Sequence, residues 1–316
     1  MKNILLHDIY LPFPEKQLKA HIPPVGKKCG SNEKNLVYYK ESIMRYEKYM
    51  GKKSNLNNRK GKPLKETRNP CQIEKDERFW IASTLMNVYY SKNRIKELSN
   101  LFSIAYGDKP PFSGILNWKE CFKGKLHLYF EVDLPSPQCY KNYLRKKENF
   151  PKHHFIPYVL DCAYGKNNLE GSTQVDAIIL NENNGFAALI EAKVLSDISI
   201  DITYDCVRNQ IARNIDVMIS ENDERKNLCP PLKLIKKDRI LFLLLTPRMF
   251  KNNYPFSRLY SYKMKEYRDK QLGLSALQKD LPHRTEKELI NIPNRIGWLT
   301  WDDFMHVNKN CCLWKK

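Results

Sequence analysis

The spacing of apolar residues changes period along the chain, and each change marks an element. Leu36–Tyr49 carries aromatic residues Tyr38, Tyr39, Tyr46 and Tyr49 about one helical turn apart. Glu77–Tyr90 and Ile95–Ala105 read as consecutive helices; the second places Ile95, Leu98, Leu101, Phe102 and Ala105 on one face. Leu126–Val132 reads as a strand ended by Leu134-Pro135-Ser136-Pro137, and Tyr140–Lys147 as a helix, while Phe155–Tyr164 fits either. Two β-rich runs, Val175–Leu180 and Phe186–Ile190, then flank Asn183-Asn184-Gly185. Asn-Gly between such runs predicts a hairpin, because a type I′ turn needs positive φ at both central residues. The two runs are apolar on both faces, which predicts a central hairpin covered on each side. Tyr204–Met218 predicts a helix with Val207, Ile211, Ile215 and Met218 as its buried stripe. Arg239–Thr246 reads as a buried strand, Arg258–Lys270 as a Tyr/Lys/Arg-rich segment, Thr285–Glu288 as a capping box and Ile296–Leu299 as a last strand. The pattern is α/β (α+β): a mixed central sheet flanked by helices.

Polar residues interrupt the hairpin at three places. With Asn184-Gly185 as a two-residue turn, Asn183 pairs with Phe186, Ile178 faces Glu191 and Asp176 faces Lys193. Asp176, Glu191 and Lys193 then share one face, with the carboxylates as diagonal neighbours. A loop one residue longer or shorter throws Asp176 to the other side. Two carboxylates on one buried face require a proton or a cation between them. Hard oxygen ligands with room for water suit Mg²⁺ or Mn²⁺. Lys193 beside such a cation is placed to orient or deprotonate an attacking water.

Between Glu170 and Asp216 the chain resembles the PD-(D/E)XK nuclease superfamily, the restriction-endonuclease-like fold; the motif's proline is Val175 here. The resemblance implies an αβββαβ core in which Asp176, Glu191 and the backbone carbonyl of Ala192 hold Mg²⁺ or Mn²⁺ while Lys193 assists the water. Superfamily members commonly add an upstream acid, for which Glu77, Glu170 and Asp161 are the candidates. Gln210 occupies the place of a supporting glutamine on the following helix, and the tyrosine that some members carry four residues later is Asn214. Arg208 and Arg213 on the same segment are the candidate nucleic-acid contacts.

Charge supports a polyanionic partner. Lys and Arg outnumber Asp and Glu 54 to 35, a formal net charge of +19 over 316 residues, and such an excess binds phosphates by releasing counterions. Gly51–Arg68 carries seven basic residues and one acidic one and reads as a basic loop. The expected layout is a basic N-terminal extension over 1–70 and a nuclease-like domain over 71–316, its core at about 150–250. Nine cysteines without a CxxC pair predict reduced thiols. His153-His154 has no neighbouring residues to complete a metal set. The first apolar run breaks at His7-Asp8, and the longest, Ile240–Leu245, is far too short to span a bilayer, so no membrane partner and a cytoplasmic location are expected. The resemblance implies an Mg²⁺-dependent deoxyribonuclease, a restriction- or defence-type endonuclease acting on double-stranded DNA, with a homodimer as the form restriction enzymes often take. The alternative is a basic nucleic-acid-binding protein that has the fold without cleavage.

Overall fold

The computed structural model describes residues 4–25, 30–31, 33–54, 70–149, 161–163, 166, 169–200, 204–205, 208–220, 228–252 and 254–311. Most of the basic loop, His153-His154 and Phe155–Tyr164 apart from residues 161–163 lie outside these residues.

Five strands, β1 (Leu126–Leu134), β2 (Thr173–Asn181), β3 (Ala187–Ala192), β4 (Ile240–Thr246) and β5 (Ile296–Thr300), form one sheet in that order. The first three run antiparallel, and β3, β4 and β5 are parallel. Every residue of β3 and β4 is buried, as their sequences, apolar apart from Glu191 and Thr246, demand for strands covered on both faces.

The described helices include α1 (Glu33–Ser54), α2 (Glu77–Tyr89), α3 (Arg94–Tyr106), α4 (Gln210–Met218), α5 (Leu259–Arg268), α6 (Gly273–Asp280) and α7 (Trp301–Val307). Phe79, Leu85, Leu98, Phe102 and Phe304 pack with Ala188, Ile190, Leu243 and Leu245 in one apolar cluster. Ile211, Ile215, Tyr260, Met264 and Leu277 pack with Leu189, Phe242, Leu244 and Trp298 in a second. The sheet is therefore sandwiched by α2, α3 and α7 on one face and by α4, α5 and α6 on the other. Tyr10, Leu11, Leu36, Tyr39 and Ile43 join the first cluster, so the described part of residues 1–70 packs onto the α2 side. None of the six described cysteines is in a disulfide.

The hairpin differs from its sequence reading in register. Ala177 pairs with Ile190 and Leu180 with Ala187, and Asn181 N–H donates to the Phe186 carbonyl at 2.8 Å. The loop is thus four residues, Glu182–Gly185. Gly185 has φ 77°, but Asn184 is not among the positive-φ residues, so the type I′ turn does not form. The asparagines are engaged elsewhere. The Asn181 amide donates to the carbonyls of Cys121 and Lys123, Asn183 Oδ1 accepts from Lys125 N–H at 2.7 Å, and Asn184 Oδ1 accepts from Phe186 N–H. Continuing this register places Asp176 opposite Glu191 rather than opposite Lys193. A shift of two is even, so the side chains keep their face.

The helix expected from Tyr204 starts only at Gln210. Asn209 caps it, accepting from Ala212 N–H at 3.0 Å, and its amide also donates to Tyr267 and Asp280. That fixed cap holds Arg208 outside the helix. Among the described residues no helix is long and apolar enough to cross a membrane.

Candidate functional site

The end of β3 and the start of α2 meet over a cleft of ≈ 790 Å³. Asp176, Glu191, Lys193, Glu77, Gln210 and Arg213 all line it. Parallel pairing with β4 sets the height of Lys193: its N–H donates to the Leu245 carbonyl at 2.8 Å, and its own carbonyl accepts from Trp301 Nε1 at 3.1 Å. The chain is tethered on both sides of the residue whose ammonium enters the site.

Glu191 is the hub, 1% exposed. Its Oε1 accepts from Lys193 Nζ at 2.7 Å and Gln210 Nε2 at 2.5 Å, and its Oε2 from Asn214 Nδ2 at 3.0 Å. Gln210 and Asn214 are four apart on α4 and so project from one side of it. Asp176 Oδ2 accepts from the backbone N–H of Ala192 at 2.7 Å. Asp176 is therefore bound to the amide of the residue whose carbonyl the superfamily resemblance makes a ligand.

Glu77, the first residue of α2 after the Asp76 cap, closes the opposite side. Its Oε1 accepts from Val194 N–H at 3.1 Å and from the Ser196 hydroxyl, and its Oε2 lies 3.8 Å from Lys193 Nζ. Of the three upstream acids expected, Glu77 reaches the site. Glu170 does not: both its oxygens accept from Arg208 Nη1, at 2.7 and 2.8 Å, and it also receives Ser136 and Arg213. Asp161 is exposed and is not among the residues lining the cleft.

Arg208 must also be corrected. It is 1% exposed, donates to Glu170 and Asp216, and stacks 3.7 Å from the Tyr140 ring centroid. Asp216 in turn takes Arg284 Nε at 2.6 Å and His283 at 3.0 Å. Arg208 is the centre of a buried ion network and cannot touch nucleic acid. Arg213 keeps partial exposure and lines the cleft, with Nε 3.1 Å from Glu170.

The sequence reading missed Glu131, which also lines the cleft. It is 2% exposed, and Arg78 Nε stands 3.3 Å from one of its oxygens. Its φ of 53° is the one positive value among the described non-glycine residues, a conformation that costs on the order of 1–3 kcal/mol and persists where the surroundings impose it. An acid inside the apolar stretch Leu128–Val132 of β1 was the available signal.

Charge in the cleft is out of balance. Burial raises the pKa of Asp176 well above the carboxylate range, and Glu191 and Glu131 add to it against the pull of Lys193. Burial also raises Glu191, opposed by Lys193, and pushes Glu131 up to about 7 against the pull of Arg78. Burial works against the charge on Lys193, but Glu191, Glu77 and Asp176 outweigh it and hold the ammonium charged.

Two buried, mutually repelling carboxylates with oxygen-only donors fit a hard divalent cation that keeps most of its ligands as water. Among the described residues no three His, Cys, Asp or Glu side chains already converge to enclose an ion. Asp176 and Glu191 are the residues that would hold such a cation, with Lys193 beside them on Glu191 Oε1. Compared with protein-family models, curated proteins and solved structures, the chain has no match.

Proposed function

We propose that this protein is a metal-dependent nuclease with a restriction-endonuclease-like core, an endonuclease of double-stranded DNA. The observation that carries the reading is the convergence on Glu191: Asp176 lies opposite it across the hairpin, and Lys193, Gln210 and Asn214 donate to its two oxygens. With the intervening helices set aside, α3 among them, the sequence α2, β1, β2, β3, α4, β4 with β4 parallel to β3 supports the αβββαβ reading. The excess of Lys and Arg supports a polyanionic substrate. Lys75, Arg78 and Arg213 on the cleft wall are suited to phosphate oxygens.

Asp176 and Glu191 would hold Mg²⁺ or Mn²⁺, which when bound supplies the positive charge that acidifies water and polarises a phosphodiester. Gln210 and Asn214 fix the Glu191 carboxylate in orientation. Lys193 donates toward the water oxygen and balances negative charge as the phosphate is attacked. Glu77 holds the backbone after Lys193 through Val194 and Ser196, which keeps the ammonium in range. A binding protein without cleavage offers no physical reason for two buried carboxylates to face one another.

Incubation of supercoiled plasmid with Mg²⁺ or Mn²⁺ tests the reading. Wild type is expected to nick or linearise it, and Asp176→Ala or Lys193→Ala to lose at least about two orders of magnitude in rate. Cleavage that survives both substitutions, or its absence on every DNA and RNA offered, would sink the assignment.

A further inference from the structure

Glu131 lies at the level of the site by register. Phe130 pairs with Ala177 and Val132 with Val175, so Glu131 stands opposite Asp176. Asp176 in turn stands opposite Glu191. Three carboxylates form a row across three adjacent strands. The left-handed backbone at Glu131 is a pivot within that row: Phe130 packs in the α2–α3 core, whereas Val132 and Leu134 pack in the opposite one. In a regular strand residues two apart share a face.

One oxygen of Glu131 is accounted for by Arg78. The other, Oε1, is buried without a hydrogen-bond partner, although the residue is 2% exposed and lines the cleft. A buried carboxylate oxygen ordinarily finds a donor. The cleft wall holds five carboxylates, Asp76, Glu77, Glu131, Asp176 and Glu191, against four cations, Lys75, Arg78, Lys193 and Arg213. Arg213 is shared with Glu170, which lies outside that wall. A chain with a large positive net charge has gathered a local negative excess around an unpaired oxygen.

We infer that Glu131 is a third carboxylate of the site, a ligand that holds a divalent cation together with Asp176. The inference rests on the metal-dependent reading above and adds a residue to it. Hard cations take oxygen ligands, and their affinity follows the number of charged ones. The left-handed turn at Glu131 gives this ligand a position that an ordinary strand residue would not have. Arg78 is then the placeholder that balances Glu131 until the cation enters.

The test is Mn²⁺ affinity, read by isothermal titration and by the fall of free Mn²⁺ in electron paramagnetic resonance, on full-length wild type, Glu131→Gln and Asp176→Asn. Glu131→Gln keeps shape and removes charge, so Mn²⁺ affinity is expected to drop by about tenfold or more with a cooperative melt retained. Glu131→Asp keeps the charge but shortens the reach, and is expected to bind severalfold more weakly than wild type. It decides the matter if the glutamine variant does not fold. Wild-type affinity in Glu131→Gln, or in Glu131→Asp where the former is unfolded, overturns the role of Glu131. If Asp176→Asn abolishes binding in that same experiment, the metal-dependent reading stands without it. A wild type that binds no Mn²⁺ overturns both.

Discussion

Replacing Arg208 by Met separates a buried structural cation from a DNA contact. Arg208 makes two bonds to Glu170, at 2.7 and 2.8 Å, one to Asp216, and a stacking contact on Tyr140. Removing one partner of a buried ion pair costs roughly 3–5 kcal/mol, because the other charge stays desolvated. Here the remaining partners soften the loss: the Arg213 guanidinium stays near Glu170 at 3.1 Å, and the Arg284 guanidinium and the His283 ring stay on Asp216 at 2.6 and 3.0 Å. That places the pair loss at the low end. The lost contact with the Tyr140 face adds about 1–2 kcal/mol, for a total near 4 kcal/mol. Since domains are stable by only about 5–15 kcal/mol, Arg208→Met is expected to lower the melting temperature by roughly 10 °C. Urea denaturation gives the free energy directly, and DNA binding at several salt concentrations gives the number of phosphate contacts. The variant that remains folded is expected to keep the wild-type salt slope. A variant as stable as wild type that binds DNA more weakly, with a shallower slope, would refute the burial argument.

Two further outcomes follow from the fold. In Gly185→Ala the new Cβ would lie 2.9 Å from the Leu234 carbonyl oxygen and 2.6 Å from Lys236 Cγ at φ 77°. With about 1–2 kcal/mol for the left-handed backbone alone, a loss near 2 kcal/mol is expected in urea, and a neutral result would contradict the four-residue loop. His21 is buried between the Leu128 carbonyl and the Tyr90 hydroxyl, and burial lowers its pKa from 6.5 to about 4 against the Leu128 bond. The unfolded chain therefore binds the proton first as pH falls. Stability is full above 6.5 and declines down to about 4, by roughly 3 kcal/mol in all. His21→Gln is expected to flatten the urea midpoint between pH 7.5 and 4.5; an unchanged slope would rule His21 out as its source.

Much of the site was legible because it is local. Asp176, Glu191 and Lys193 sit at even offsets on two paired strands, and Gln210 and Asn214 one turn apart on a helix, so elementary periodicity predicts which side chains travel together. Glu77 was one candidate among three, and only packing of α2 against the end of β3 brings it to the cleft. Arg208 was misread because what buries it lies far away in sequence: Glu170 and the Tyr140 ring before it, and His283 and Arg284, which close around its partner Asp216, after it. A guanidinium beside an apolar stripe looks the same on paper whether it meets solvent or two buried carboxylates. Glu131 left a mark, an acid within the apolar stretch Leu128–Val132, but its relation to Asp176 depends on the β1–β2 register.

The sequence by itself determined the face on which the candidate residues lie, because strand alternation is a property of the backbone. It also determined the strands and most of the helices, whose apolar periods are long enough to read. Tertiary structure decided who stands opposite whom. Asn181 at the end of β2 and Asn183 in the loop bind backbone groups of residues 121–125, far away in sequence, and those contacts select a four-residue loop over a tight turn. The register moved by two, the face was conserved, and Asp176 came to stand against Glu191. Local geometry sets parity; contacts between distant segments set the pairing, and with it which charges must be balanced.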